Sequence, residues 1–78
     1  MDEIEQLVRR VRAGETEVYA ELIRRFELPV WRVVAAMMQS FDQARDAMQQ
    51  TFVDAYLHLD QFQLGRDFGA WIKEIARN

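Results

Sequence analysis

Ile4, Leu7, Val8 and Val11 recur at helical steps, and Ala13-Gly14 follows them with a glycine suited to the left-handed position that ends a helix. The first predicted helix therefore runs from about Asp2 to Arg12. Thr16 has the chemistry of an N-cap for the next helix, Glu17 favours the positive end of its dipole, and Val18, Tyr19, Leu22, Ile23 and Phe26 form its apolar stripe. Pro29 lacks the N–H that a helix interior uses but suits a first turn, so the pattern predicts a kink or joint at Leu28. From Val30 to Gln39 the chain is apolar on every side. Val30, Val33, Val34, Met37 and Phe41 lie on one flank and Trp31, Ala35 and Met38 on another, which predicts a central buried helix.

Ser40 to Asp42 is a polar joint, and Asp42 is expected to cap a helix that reaches Leu59. This helix has two unlike faces. At about 100° per residue, Ala44, Met48, Thr51, Phe52, Ala55 and Leu59 make an ordinary core stripe. The opposite side carries Asp46, Gln50, Val53 and Leu57, with Gln49, Asp54 and Asp60 beside them. An apolar pair set in an acidic, amide-rich surface suits a docking partner, although single exposed apolar residues are common on any protein. Between Asp60 and Asp67 the periodicity lapses, Gly65 marks a turn, and Asp67 offers a cap for a last helix. On that helix Phe68, Trp71, Ile72 and Ile75 face inward, while Lys73 and Arg77 lie outward. With no strand-like alternation or repeat, the class is all-α: a compact bundle of four to five helices forming a single helical domain over residues 1–78.

Composition narrows the function classes. Half of the 78 residues are hydrophobic, enough for one packed core. The absence of cysteine removes disulfides and cysteine-based zinc sites, and fits a reducing compartment. No apolar run approaches a membrane span and the start, MDEIEQ, is unlike a signal peptide, so the expectation is a cytoplasmic protein with no membrane partner. A net charge of −3 argues against coating nucleic acid through a general basic surface, yet Arg66, Lys73 and Arg77 gather near the C-terminus and permit a local contact. The stop at Arg77-Asn78 suggests a piece excised from something longer.

Enzyme signatures are missing. There is no phosphate loop, nucleophile elbow or cluster of metal ligands; His58 stands alone, and Asp42, Asp46, Asp54 and Asp60 are too spread to pair as acid and base. The reading is no enzyme, no cofactor, no metal and no small-molecule substrate. One stretch does carry binding chemistry. Phe62, Leu64 and Phe68 interleave with Gln61, Gln63, Arg66, Lys73, Arg77 and Asn78, and single-stranded nucleic acid is bound by that mixture of π-faces, amides and cations. Phe68 reads as core; Phe62 is equally compatible with core and surface.

Gly14-Glu15, Val18-Tyr19 and Leu22, then Asp46, Gln49-Gln50-Thr51-Phe52, Ala55-Tyr56, Leu59-Asp60 and Phe62, then Phe68, Trp71-Ile72 and Ile75-Ala76-Arg77-Asn78 closely resemble, in order and spacing, region 2 of bacterial RNA polymerase sigma factors of the extracytoplasmic-function (ECF) group. The resemblance implies a helical domain that binds the clamp helices of the polymerase β′ subunit and recognises the promoter −10 element as melted, single-stranded non-template DNA. It places Asp46, Gln49 and Gln50 at the clamp contact, on the face that periodicity had marked, where Val53, Asp54 and Leu57 also lie. It implies that the loop around Phe62 cups a flipped base, with Phe62, Gln63 and Asn78 at bases, Arg66, Lys73 and Arg77 at phosphates, and Asp60 beside them. An anti-sigma factor is a further implied partner. Gln50 stands where the family has glutamate, removing a charge toward a basic partner, and Gln63 stands where a basic residue is common. Glu15 replaces the usual aspartate. The second domain of such factors (region 4), which reads the −35 element, is expected to be absent from this chain. The alternative, favoured by the acidic balance and Gln63, is a sigma-like interaction module that binds polymerase or an anti-sigma regulator without touching DNA.

Overall fold

Asp2 opens the first helix, α1 (Glu3–Arg12), by accepting a hydrogen bond from the Glu5 N–H at 2.8 Å. Glu3 and Glu5 in its first turn and Arg9, Arg10 and Arg12 in its last oppose the helix dipole at both ends. Gly14, at φ 107°, takes the left-handed conformation that releases the chain. The computed structural model describes residues 2–78, and α2 (Tyr19–Met37), α3 (Phe41–Leu57) and α4 (Phe68–Arg77) complete the helices, with 3₁₀ turns at Thr16–Val18 and Leu59–Gln61. No strand occurs among the described residues.

Three expectations about element ends need correction. Thr16 caps no α-helix: it enters a 3₁₀ turn, and α2 begins at Tyr19 with no side-chain cap. The preceding Glu15 is instead held by Arg10 at 2.9 Å, and that hydrogen bond lowers the Glu15 pKa. Pro29 does not start a new helix; α2 runs through it. Proline removes only the bond that the Arg25 carbonyl would have received, and Arg25 is on the exposed side, where water can serve it. Meanwhile Leu22, Val30 and Val34 are buried on the other side and keep both halves seated on the same core. Ser40, not Asp42, caps α3, its Oγ accepting from the Gln43 N–H at 3.1 Å. Asp42 falls in the first turn, where it faces Arg45 at 3.8 Å.

α2 is the central helix, since α1, α3 and α4 all pack on it, but it is not buried all round. Its last turn projects past the bundle, leaving Ala35, Ala36 and Met37 exposed, with Met38 and Phe41 exposed just beyond it. The core is a single cluster whose largest fully buried side chains are Val8, Leu22, Val30, Val34 and Ile72, one or more from each of α1, α2 and α4. α3 adds Ala44, Thr51, Phe52 and Ala55, and Leu59 follows from the next turn. The Thr51 hydroxyl donates to the Ala47 carbonyl at 2.8 Å, so burial leaves it satisfied. Gly65, at φ 92°, turns the chain into α4, where the Asp67 carboxylate accepts from the Ala70 N–H at 3.1 Å.

Candidate functional site

The outer face of α3 stands clear of the bundle as its periodicity predicts. Asp46, Gln49 and Gln50 are exposed, Val53 is 50% exposed and Leu57 65%, a level at which both offer apolar surface to a partner. Asp54 is half-buried and accepts from the Gln50 amide at 2.8 Å, so the two are fixed as a pair. The structure adds what the sequence reading missed: this face is one wall of a groove. Val53 and Leu57 meet Ile23 and Tyr19 of α2, with Met48 and Tyr56 between them, around a nearly wholly apolar hollow of about 420 Å³. Tyr19 is anchored at its base, donating from its hydroxyl to the Phe52 carbonyl at 2.5 Å and meeting the Tyr56 ring edge-on at 5.1 Å. Burial, and secondarily the neighbouring Tyr56, pushes the Tyr19 phenol well above its ordinary pKa, so it remains a neutral donor. The signal for the groove lay in Tyr19 and Ile23, at i and i+4 on the predicted second helix, but only the antiparallel packing of α2 on α3 brings them beside Val53.

The residues expected at DNA fall in separate places. Gln63 and Arg66 line an open cleft of about 640 Å³ between the loop and α4, together with Gln61, Trp71 and Glu74. Phe62 lies at this cleft with its ring packed inward, which decides the open choice between core and surface in favour of core. It is only 4% exposed, with its ring edge-on to Phe68 and tilted against Trp71, both at 5.2 Å. The half-buried aromatic beside Gln63 and Arg66 is Trp71, at the rim of the inward stripe of α4. Asp60 is exposed in a different hollow, of about 400 Å³, with Arg12 and Leu57.

Arg77 is exposed and Lys73 half-buried on the outer side of α4, where Arg77 faces Glu74 at 3.7 Å. Among the described residues Arg66 and Lys73 have no acidic partner within 4.0 Å. Asn78 is exposed at the far end of α4, a helix of ten residues and so roughly 15 Å long. It lines a pocket of about 190 Å³ with Met37, Met38, Gln50 and Asp54, nearer the α3 face than the loop. His58 closes α3, its Nδ1 lying 2.8 Å from the Asp54 carbonyl. Among the described residues no group of three or more His, Asp or Glu side chains is placed to hold a metal ion, and no helix is long and apolar enough to cross a membrane.

A largely apolar groove thus lies along α3, beside exposed acid and amide groups, and an open cleft bordered by an amide and a cation lies where the loop meets α4. Known proteins share both sequence and shape with this chain. The chain is 25% identical over 75 residues to the ECF RNA polymerase sigma factor SigW of Bacillus subtilis (strain 168), covering 96% of this chain and 40% of that protein. It is 35% identical over 74 residues to the ECF RNA polymerase sigma factor BldN of Streptomyces coelicolor, covering 94% of this chain and 28% of that one. The chain thus spans well under half the length of these curated relatives. A solved structure, an engineered region 2 of sigmaE in complex with GTAAAA, superposes with a TM-score of 0.85 at 33% identity, covering 97% of this chain and 82% of that one. The family description Sigma-70 region 2 matches residues 22–78, from the first turn of α2 through the whole of α3, the loop and α4. Both candidate faces lie within that match, and the chain belongs to the Sigma-70 region 2 family, as an ECF sigma factor region 2 domain.

Proposed function

We propose that this chain recognises the promoter −10 element as single-stranded non-template DNA while docked on the β′ clamp helices of RNA polymerase, for transcription initiation. One observation carries the reading: a region 2 of the same fold was solved with GTAAAA, and the equivalent loop here borders a cleft large enough for a base. Gln63 and Arg66 supply an amide and a cation at that cleft, and Lys73 and Arg77 continue positive charge along α4. The polymerase contact is the exposed side of α3, where Val53 and Leu57 supply apolar area and Asp46, Gln49, Gln50 and Asp54 supply acid and amide groups for a basic helix. The function is binding rather than catalysis, in the compartment where polymerase works.

Fluorescence anisotropy with labelled GTAAAA and with a β′ clamp-helix fragment tests the two halves separately. Gln63→Ala and Arg66→Ala should each weaken the strand by about 1–3 kcal/mol. Asp46→Ala with Gln49→Ala should weaken the clamp fragment by a similar amount and leave the strand unaffected. A wild-type chain that binds GTAAAA no better than a scrambled strand would rule out the DNA half. That result would favour the second reading, an interaction module for polymerase or an anti-sigma regulator, which the apolar lining of the groove beside Val53 and Leu57 supports.

A further inference from the structure

Arg12, the last residue of α1, lies ten residues before the family match begins and belongs to neither candidate face. Its half-buried guanidinium crosses to the far end of the sequence. Nε donates to the Leu59 carbonyl at 3.0 Å and Nη2 to the same carbonyl at 2.6 Å, and Nη2 donates again to the Phe62 carbonyl. Both carbonyls bracket the 3₁₀ turn that hands α3 over to the loop. Phe62 is therefore held twice: its ring is wedged against Phe68 and Trp71, and its backbone is tied from outside by a charged donor. Together these set the direction in which Gln63 to Arg66 leave the bundle, and with it the mouth of the cleft.

We infer that Arg12 is a positioning residue for base recognition: it pins the turn before the loop, so that Gln63 and Arg66 meet a base in one fixed geometry. The inference rests on the DNA-binding reading above. A charge-assisted, forked contact suits the task, because one planar guanidinium reaches two carbonyls at once while an ammonium on a flexible stem cannot hold both in the same way. Its position also avoids competition, since α1 presents no residue to the cleft itself.

Arg12→Met keeps the apolar stem and removes the fork. Two measurements on the whole chain decide the matter: backbone amide exchange across residues 60–66, and binding of GTAAAA against strands with one base changed. The expected result is exchange at least roughly tenfold faster in that segment alone, with α1 and α4 protected as in wild type. Binding of GTAAAA should fall by about tenfold, with preference among the altered strands flattened and the clamp fragment bound as before. Loss of a merely structural contact would instead speed exchange throughout the bundle and leave base preference intact, which would overturn the inference, as would exchange and preference both like wild type. Should Arg12→Met not fold, Arg12→Lys is judged by the same two measurements and the same outcomes. If wild type itself shows no preference for GTAAAA, the functional reading fails, whereas amide exchange still decides whether Arg12 pins the turn.

Discussion

Phe62 shows how packing decides a side chain that the sequence leaves open between core and surface. In sequence it sits in a polar loop beside Gln61 and Gln63, a setting equally typical of a surface ring and of a hydrophobic plug. What decides is packing that no local pattern encodes: Phe68 and Trp71 from the next helix close over it, and Arg12 from the first ties its backbone. Phe62→Ala should therefore cost about 3–5 kcal/mol of stability, measured by urea unfolding, because it leaves a cavity where three rings meet. A ring standing free for base stacking would cost well under 1 kcal/mol on removal. Any loss of DNA binding in that variant would reflect a slack loop, so Gln63 and Arg66 are the cleaner probes of base contact.

Among the elements, α3 was the most legible, because its two faces differ in composition and helical periodicity sorts them directly. Ala44, Thr51, Phe52, Ala55 and Leu59 went in, and Val53 and Leu57 stayed out. Element ends were less legible, since caps compete over a few residues: Ser40 displaced Asp42, and Thr16 lost its role to a 3₁₀ turn. Pro29 was misread for a different reason. Its chemistry argues for a break, but the buried stripe of Leu22, Val30 and Val34 continues across it and outweighs one missing hydrogen bond. The proline is therefore a tolerated defect, and Pro29→Ala should raise stability by roughly 1–2 kcal/mol in the same unfolding measurement, part of the ~3 kcal/mol that a helix-interior proline costs. An unchanged or lower midpoint would mean that the helix depends on the proline.

At the scale of the molecule, net charge and local charge point in different directions. The chain carries −3 overall, yet Arg66, Lys73 and Arg77 follow one another from the loop along α4. With about three phosphates engaged, the logarithm of strand affinity should fall against the logarithm of salt with a slope near −2, measured by anisotropy titrations. Docking of the clamp fragment on the exposed side of α3, where Val53 and Leu57 supply apolar area, should respond less. A slope near zero for the strand would remove the phosphate contacts from the proposal. Sequence alone could put Lys73 and Arg77 on one helix with Arg66 just before it, but it could not separate Asn78, about a helix length away, from the loop, nor join the α3 face to α2. Those are facts of assembly. One more follows from how the opening helix is used. Leu7, Val8 and Val11 fill the shared interior, and Arg12 steadies a turn nearly fifty positions downstream. Shortening the protein to the stretch that its kinship covers, from Leu22 onward, would spare every side chain proposed to touch promoter or polymerase, yet take away the keystone that lets them act together.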